Sequence, residues 1–350
     1  ILGIGFEVLA QEKSVRGKEE LLFEEIPIVV TAARKEQPIT EAPSNITVIT
    51  DEQIKNSGAR TLADVLALIP GIQINTHRKG FERIWIRGVS TEYNNKTLLL
   101  IDGYPWRELV YGQHPIDEQF SINNIKKVEV IKGPGSALYG ANAFAGVINV
   151  VTKDAGDVEG ANVEIGAGSW NTQSHNVLFG KKSNHGGIVF AANYYDTEGD
   201  KHERDVDGNL TTKRDPNKLV DLNLKVSLYD FNFAVRHGRY NTEYFSYADT
   251  KWLKWDNKDS LVQLGWKHSF SERLKLALRG YYNLFDYPRE KRSFKDDGSF
   301  KELEDSVEKT QLIGAGIQTE YNLFHNNDVI AGIDYENEKA FEITETIYKM

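Results

Sequence analysis

The chain offers few side-chain sets that could do chemistry. Among 350 residues there are 8 His and no Cys. Thiolate metal sites and disulfides are therefore excluded, and the His residues show no metal-ligand spacing. Gly133-Pro134-Gly135-Ser136 could suggest a phosphate loop, but it lacks the Lys-Ser/Thr ending that a P-loop requires. Asp196–Asp207 carries Asp200, Glu203, Asp205 and Asp207. These hard oxygen donors could take Ca²⁺, or form a solvated acidic loop. No nucleophile–base pair or carboxylate dyad stands out, so an enzyme is not expected, and no cofactor is expected beyond that possible Ca²⁺. The net charge of -9 argues against a nucleic-acid partner.

The elements that hold these residues are of two kinds. After Lys153 the sequence alternates. Leu274, Leu276, Leu278, Tyr282 and Leu284 share one face, with Lys275, Arg279, Tyr281 and Asn283 on the other. Val220–Leu228, Phe231–Arg236, Val262–Phe270, Ile313–Tyr321 and Val329–Glu336 repeat the pattern. With weaker runs near Ala161–Gly168, Thr172–Lys181 and Gly187–Thr197, it predicts about nine long amphipathic strands. Short turns at Lys182–His185, Tyr229-Asp230, Ser271-Glu272 and Phe324–Asn327 alternate with long polar loops over Glu198–Asn217, Thr242–Asn257 and Pro288–Glu308. Long strands with such loops describe a membrane β-barrel better than a soluble sandwich, whose strands run about 5–6 residues. The mean hydropathy of -0.47 does not oppose this, because barrel strands average apolar-out with polar-in.

The region before Lys153 is a small mixed α/β domain. Thr50 or Asp51 can cap a helix that Gly58 stops, and Thr61 can cap a second over Leu62–Ile69. Ile72–Asn75, Arg83–Arg87, Thr97–Ile101, Val128–Lys132 and Val147–Thr152 read as strands. Gln11–Glu25 is charged and aperiodic, a tail. Ile1–Ala10 resembles the end of a secretory signal peptide, with a short core strand as the other reading.

Five segments in register carry a family resemblance: Ile26–Ala32 (IPIVVTA), Ala42–Thr50 with Leu62–Ile74, Ile84–Gly88, Leu98–Gly103, and the Gly133, Pro134, Ser136, Tyr139, Gly140, Gly146, Asn149 pattern. Together they resemble the TonB-dependent outer-membrane receptors. The resemblance implies a signal-peptide remnant over 1–10 and a periplasmic tail over 11–33. It implies a plug domain over 34–153 and the N-terminal part of a transmembrane antiparallel β-barrel over 154–350. Family barrels have about 22 strands, so a longer protein is expected.

The resemblance also implies roles. Ile26, Pro27, Ile28, Val29, Val30, Thr31 and Ala32 would form the TonB box, which adds as a strand to the sheet edge of TonB. His77, Arg78, Lys79, Arg83, Tyr104, Trp106, Arg107, Tyr111 and His114 would sit in outward plug loops. Their cations and aromatics suit an anionic aromatic chelate. Arg87 and Lys132 would lock plug to barrel. Lys132 stands where the family usually has Arg and lacks that residue's two-pronged geometry. The implied function is active transport of a scarce nutrient across the outer membrane of a Gram-negative bacterium. A ferric siderophore leads, with cobalamin or haem behind, and the partners are TonB, the chelate and outer-membrane lipid. Rival readings are a binding-only docking receptor, a signalling receptor with a further domain, and a secreted β-rich enzyme.

Overall fold

The computed structural model describes residues 2–6, 28–31, 34–42, 45–76, 82–89, 94–110, 112, 114–199, 216–246, 251–294, 300–324 and 327–349. In chain order the first elements are β1 (Leu2–Phe6), β2 (Ile28–Val29), β3 (Gln37–Pro38) and β4 (Ile46–Thr50), then α1 (Asp51–Ser57) and α2 (Leu62–Ala67). β5 (Ile72–Thr76), β6 (Glu82–Ile86), β7 (Thr97–Ile101), β8 (Tyr104–Pro105), β9 (Ile125–Lys132), α3 (Ser136–Tyr139) and β10 (Gly146–Thr152) complete the α/β domain. Its central sheet runs β4-β9-β10-β7-β8.

Local chemistry explains both longer helices. Thr50 and Thr61 each accept from the third helical backbone N–H, and Gln53 and Asp64 return the bond to the cap. Gly58 ends α1 at φ 71°, a left-handed position that favours glycine. β7, β9 and β10 are largely buried on both faces, as their β-branched and aliphatic residues predict, with Glu129 and Asn149 as polar interruptions. Gly146 lets them close: a Cβ there would come within 2.5 Å of the Ile131 carbonyl oxygen. Leu62, Leu66, Ile69, Ile86, Leu99 and Ile148 form the core between sheet and helices. The short helix α3 was not foreseen.

The second body is one sheet. β11 (Gly160–Gly168), β12 (Thr172–Ser183), β13 (Gly186–Thr197), β14 (Asn217–Leu228) and β15 (Phe231–Ser246) lead to β16 (Lys251–Ser269), β17 (Leu274–Phe294), β18 (Phe300–Phe324) and β19 (Asn327–Lys349). All pair antiparallel in sequence order, nine strands after Lys153 as the alternation predicts. β1 pairs antiparallel with β11, Leu2 opposite Ala167. Residues 2–6 thus form an edge strand of this sheet, because an open strand edge can accept any extended backbone.

The predicted short turns at Lys182–His185, Tyr229-Asp230 and Ser271-Glu272 stand where expected, and Phe324 pairs with Asn327 across residues 325 and 326, which lie outside the described residues. Two of the predicted long loops do not. Residues 242–246, 251–257, 288–294 and 300–308 continue β15 to β18, whose strands reach 25 residues. Their polar composition reflects strands that outrun the apolar band, not irregular chain. Alternation sorts the faces: Leu222, Leu264, Leu278, Ile317 and Ile333 are exposed outward, while Asp221, Arg236, Gln263 and Asn283 turn inward and are buried against the α/β domain. Among the described residues no helix is long and apolar enough to cross a membrane, which says nothing about strands.

Candidate functional site

The N-terminal segment is docked, not trailing. β2 pairs with β3, Ile28 opposite Pro38. Behind it, Glu129 on β9 is a lone carboxylate in an aliphatic run with no solvent exposure. Its Oε2 accepts from the N–H of Val30 at 3.1 Å, the N–H of Thr31 at 3.0 Å and the hydroxyl of Thr31 at 2.5 Å. Lys127 pairs with its Oε1 at 2.7 Å and also donates to the carbonyl of Ile28. The Tyr139 hydroxyl, pushed up to about 12 mainly by burial, donates to the carbonyl of Thr31 at 2.9 Å. Ile28, Val29, Val30 and Thr31 are therefore brought together on the α/β domain. Ile26, Pro27 and Ala32 lie outside the described residues. Glu129 was missed from sequence; a single acid inside VEVIK was the available signal.

The same segment then reaches the wall. Arg34 pairs with Asp334 at 2.5 Å, and Lys35 pairs with Asp328. Arg34 also lies 4.6 Å over the Tyr139 ring, and its carbonyl accepts from Gln318. Asp334 is shared with Arg279. Further along the inward face of β19, Arg107 pairs with Glu336 at 3.5 Å and with Glu338. Alternate residues of β19 thus form a ladder of carboxylates met by three cations of the N-terminal domain.

A second set of contacts closes the middle of the interface. Arg236, fully enclosed, pairs with Asp221 at 3.1 Å and with Asp259, donates to the Gln119 carbonyl, and lies 4.6 Å over the Trp106 ring. Asn283 donates to the Pro105 carbonyl and Gln263 to the Ile101 carbonyl.

Arg87 and Lys132, the residues expected to lock plug to barrel, make local contacts within the plug. Lys132 Nζ donates to the Pro70 carbonyl at 3.2 Å, and Arg87 is exposed with its N–H bonded to the Gly71 carbonyl. Both serve the corner after α2, and neither meets a carboxylate among the described residues. Among the described residues Arg34, Lys35, Arg107 and Lys225 (to Asp102, 3.4 Å) form ion pairs across the interface.

The expected ligand residues also separate. Trp106 is wholly buried against Phe120 and Phe285. Arg107 is used by β19. His114 is buried with Nε2 on the Thr97 carbonyl at 2.6 Å. These three are enclosed rather than displayed, because aromatic rings and a cation with partners gain more from packing than from solvent. Tyr104 lies toward the short-turn end, where its hydroxyl reaches the Leu264 carbonyl at 3.3 Å. Arg83 sits at the start of β6, 5.8 Å over Trp85. His77, Arg78, Lys79 and Tyr111 lie outside the described residues. So do Asp200, Glu203, Asp205 and Asp207, while Asp196 accepts from the Tyr194 hydroxyl at 2.7 Å. Among the described residues no cluster of His, Cys, Asp and Glu could hold a metal.

Between domain and wall, at the short-turn end, lies a cavity of about 940 Å³. Tyr104 and Tyr139 line its inner side, Lys225, Gly265 and Arg279 its outer side, and Val30, Arg34 and Glu36 a third side. Its size is at the upper end of small-molecule sites, about 300–1,000 Å³.

Comparison with known proteins agrees with this architecture. Residues 38–147 match the family model of the TonB-dependent Receptor Plug Domain. The "Vitamin B12 transporter BtuB" of Vibrio vulnificus is 30% identical over 326 residues, covering 89% of this chain and 50% of that protein. The same-named transporter of Vibrio cholerae is 27% identical over 285 residues, covering 78% of this chain and 39% of that protein. The chain spans about half the length of the first of these relatives or less. Among solved structures, the pyoverdine receptor FpvA of Pseudomonas aeruginosa superposes with a TM-score of 0.72 at 16% identity, over 88% of this chain and 48% of that one. The unliganded ferric citrate transporter FecA gives 0.68 at 22% identity, over 87% and 49%. These two likenesses are of fold.

Proposed function

The chain belongs to the TonB-dependent receptor family, as a plug domain with part of its barrel, and from that premise we propose that it imports a metal chelate across the outer membrane of a Gram-negative bacterium, powered through TonB. The observation that carries this reading is the docked Ile28–Thr31 segment. Ile28 and Val29 are extended, Val30 and Thr31 are held by hydrogen bonds to one carboxylate and one tyrosine, and the segment lies at the short-turn end. In outer-membrane barrels short turns face the periplasm, where TonB would reach it. An extended segment of this kind can leave its dock and add to a partner's sheet edge, exchanging one set of backbone hydrogen bonds for another.

A corrinoid is the first cargo to test, since the sequence relatives are named vitamin B12 transporters. A ferric siderophore, the leading expectation from sequence, is the second, because the structural likenesses to siderophore receptors are of fold. No catalytic role is proposed.

The test is uptake of radiolabelled cyanocobalamin and ferric citrate by cells with and without the gene, in the presence and absence of TonB. Gene- and TonB-dependent uptake of either supports the reading. Surface binding without uptake would favour a docking receptor. Val30→Pro should abolish uptake and preserve surface binding, because proline removes a ladder donor. Normal uptake by that variant would refute the role of the segment.

A further inference from the structure

We propose that the outer rim of the wall, at the turn between β14 and β15, carries a site for a phospholipid with a primary ammonium headgroup, built by Asp230, His268 and the rings of Trp266 and Phe270. The inference goes beyond the transport reading and needs only that the wall sits in a membrane.

The face comes first. Leu264, Trp266 and His268 are alternate residues of β16, so they share the face turned away from the plug. Phe231 on β15 stands opposite Trp266 from one side and Leu278 on β17 from the other. Phe231, Leu264 and Leu278 are exposed, as lipid-facing residues are. Toward the short turns the chemistry of this face changes. The Trp266 and His268 rings are stacked, with centroids 5.6 Å apart and planes 8° from parallel, and Phe270 stands edge-on to His268 at 4.6 Å. Aromatic residues at the edge of an apolar band are general to barrels. The carboxylate that these rings adjoin is particular to this rim.

That carboxylate is Asp230, in the short turn. Its Oδ2 accepts from Nδ1 of His268 at 2.6 Å. An ionised carboxylate can only accept, so the imidazole donates from Nδ1 and, when neutral, keeps a lone pair at Nε2. Both side chains are within reach of a ligand, at 40% exposure for His268 and 44% for Asp230. Among the described residues Asp230 has no ion pair besides His268. Lys267 donates its backbone N–H to the Asp230 carbonyl, but it alternates to the inner face of the wall, where it lines the cavity.

The rim therefore offers a carboxylate, an imidazole lone pair and aromatic faces. Each favours a cation that carries N–H donors: the carboxylate by charge, Nε2 by hydrogen bonding, the rings by their quadrupole. The donors beside them, the Tyr229 hydroxyl and the Trp266 indole N–H, are neutral. A primary ammonium finds partners of every kind here. A headgroup of hydroxyls with a net negative charge meets a carboxylate. Short turns of outer-membrane barrels face the periplasm, so the lipid belongs to the periplasmic leaflet, with its acyl chains along Phe231, Leu264 and Leu278.

The test uses the whole receptor, purified in detergent and titrated with equal amounts of phosphatidylethanolamine and phosphatidylglycerol of matched acyl chains. Native mass spectrometry counts the lipids retained, and heat-modifiable migration on a gel establishes that each variant is folded. The proposal requires the parent to retain phosphatidylethanolamine in preference. Asp230→Asn keeps the shape of the side chain and removes its charge, and should abolish the preference. Trp266→Leu keeps apolar surface and should lower the preference about two- to fivefold, the loss of one exposed cation–π contact. Asp256→Asn removes the same charge at the other end of β16, where Asp256 pairs with Arg239, and should leave the preference intact. Equal retention of the two lipids by the parent, an unchanged preference in Asp230→Asn or in Trp266→Leu, or an equal loss in Asp256→Asn would each overturn it. The measurement involves no uptake, so it is decided independently of the cargo.

Discussion

The backbone N–H of Thr31 lies 3.0 Å from Oε2 of Glu129, a carboxylate shut off from solvent. This contact joins the N-terminal segment to the middle of the plug sheet, 98 residues away in sequence. It makes the resting segment part of the plug rather than a free tail.

Glu129→Ala should release that segment. Hydrogen bonds to a charged group contribute about 1.5–3 kcal/mol each, and three donors lose their acceptor together. A spin label at Ile28→Cys, an exposed position, should become more mobile in the Glu129→Ala background. Because the segment's own backbone is untouched, uptake should persist, in contrast to Val30→Pro. An unchanged label spectrum would show that Glu129 does not hold the segment.

Arg107→Met should loosen the plug on β19. Removing one partner of an enclosed pair strands the others. Glu336 and Glu338 are partly exposed, so the cost should be about 1–3 kcal/mol, below that of a fully buried pair. Limited proteolysis of the folded receptor should cut the plug faster, with Arg107→Lys intermediate.

Gly314→Ala should disturb the same region from the wall. A Cβ there would overlap the ring and hydroxyl of Tyr281, whose hydroxyl donates to Glu336 at 2.5 Å. Overpacking costs about 1–3 kcal/mol. The temperature at which the protein loses its compact form on a detergent gel should fall, and Tyr281→Phe combined with Gly314→Ala should not restore it, because the ring itself is displaced.

Asp117 gives a pH dependence. Burial, with Glu118 beside it, pushes its carboxyl up to about 7. The fold therefore holds the proton to higher pH than the unfolded chain does. Stability from this group is full at low pH and declines as pH rises from about 4 to about 7. Asp117→Asn should flatten that decline and raise the thermal midpoint at pH 8 relative to pH 5 when compared with the parent. Parallel curves for the two proteins would contradict it.

Much of this was legible in the sequence, because it depends on near neighbours. Thr50 and Thr61 mark helix starts through bonds three residues away. Alternation along Leu274–Leu284 tells which side chains face lipid. Tyr229-Asp230 and Phe324–Asn327 mark turns. The glycine-rich pattern from Gly133 to Asn149 ties these pieces to one family.

Alternation assigns a face but no partner. That Arg107 meets Glu336 and Glu338, while Arg87 and Lys132 turn to the corner at Pro70-Gly71, depends on how the plug is rotated and seated inside the wall. The same docking moves Tyr104 from an expected outward loop to a cavity at the short-turn end, and encloses Trp106 and His114. It also decides that Val30 and Thr31 spend their backbone donors on Glu129. The pairings of Arg107 with β19 and of Val30 and Thr31 with Glu129 join residues about a hundred or more positions apart, where local propensity carries no information and only the register of packed elements selects which groups can meet.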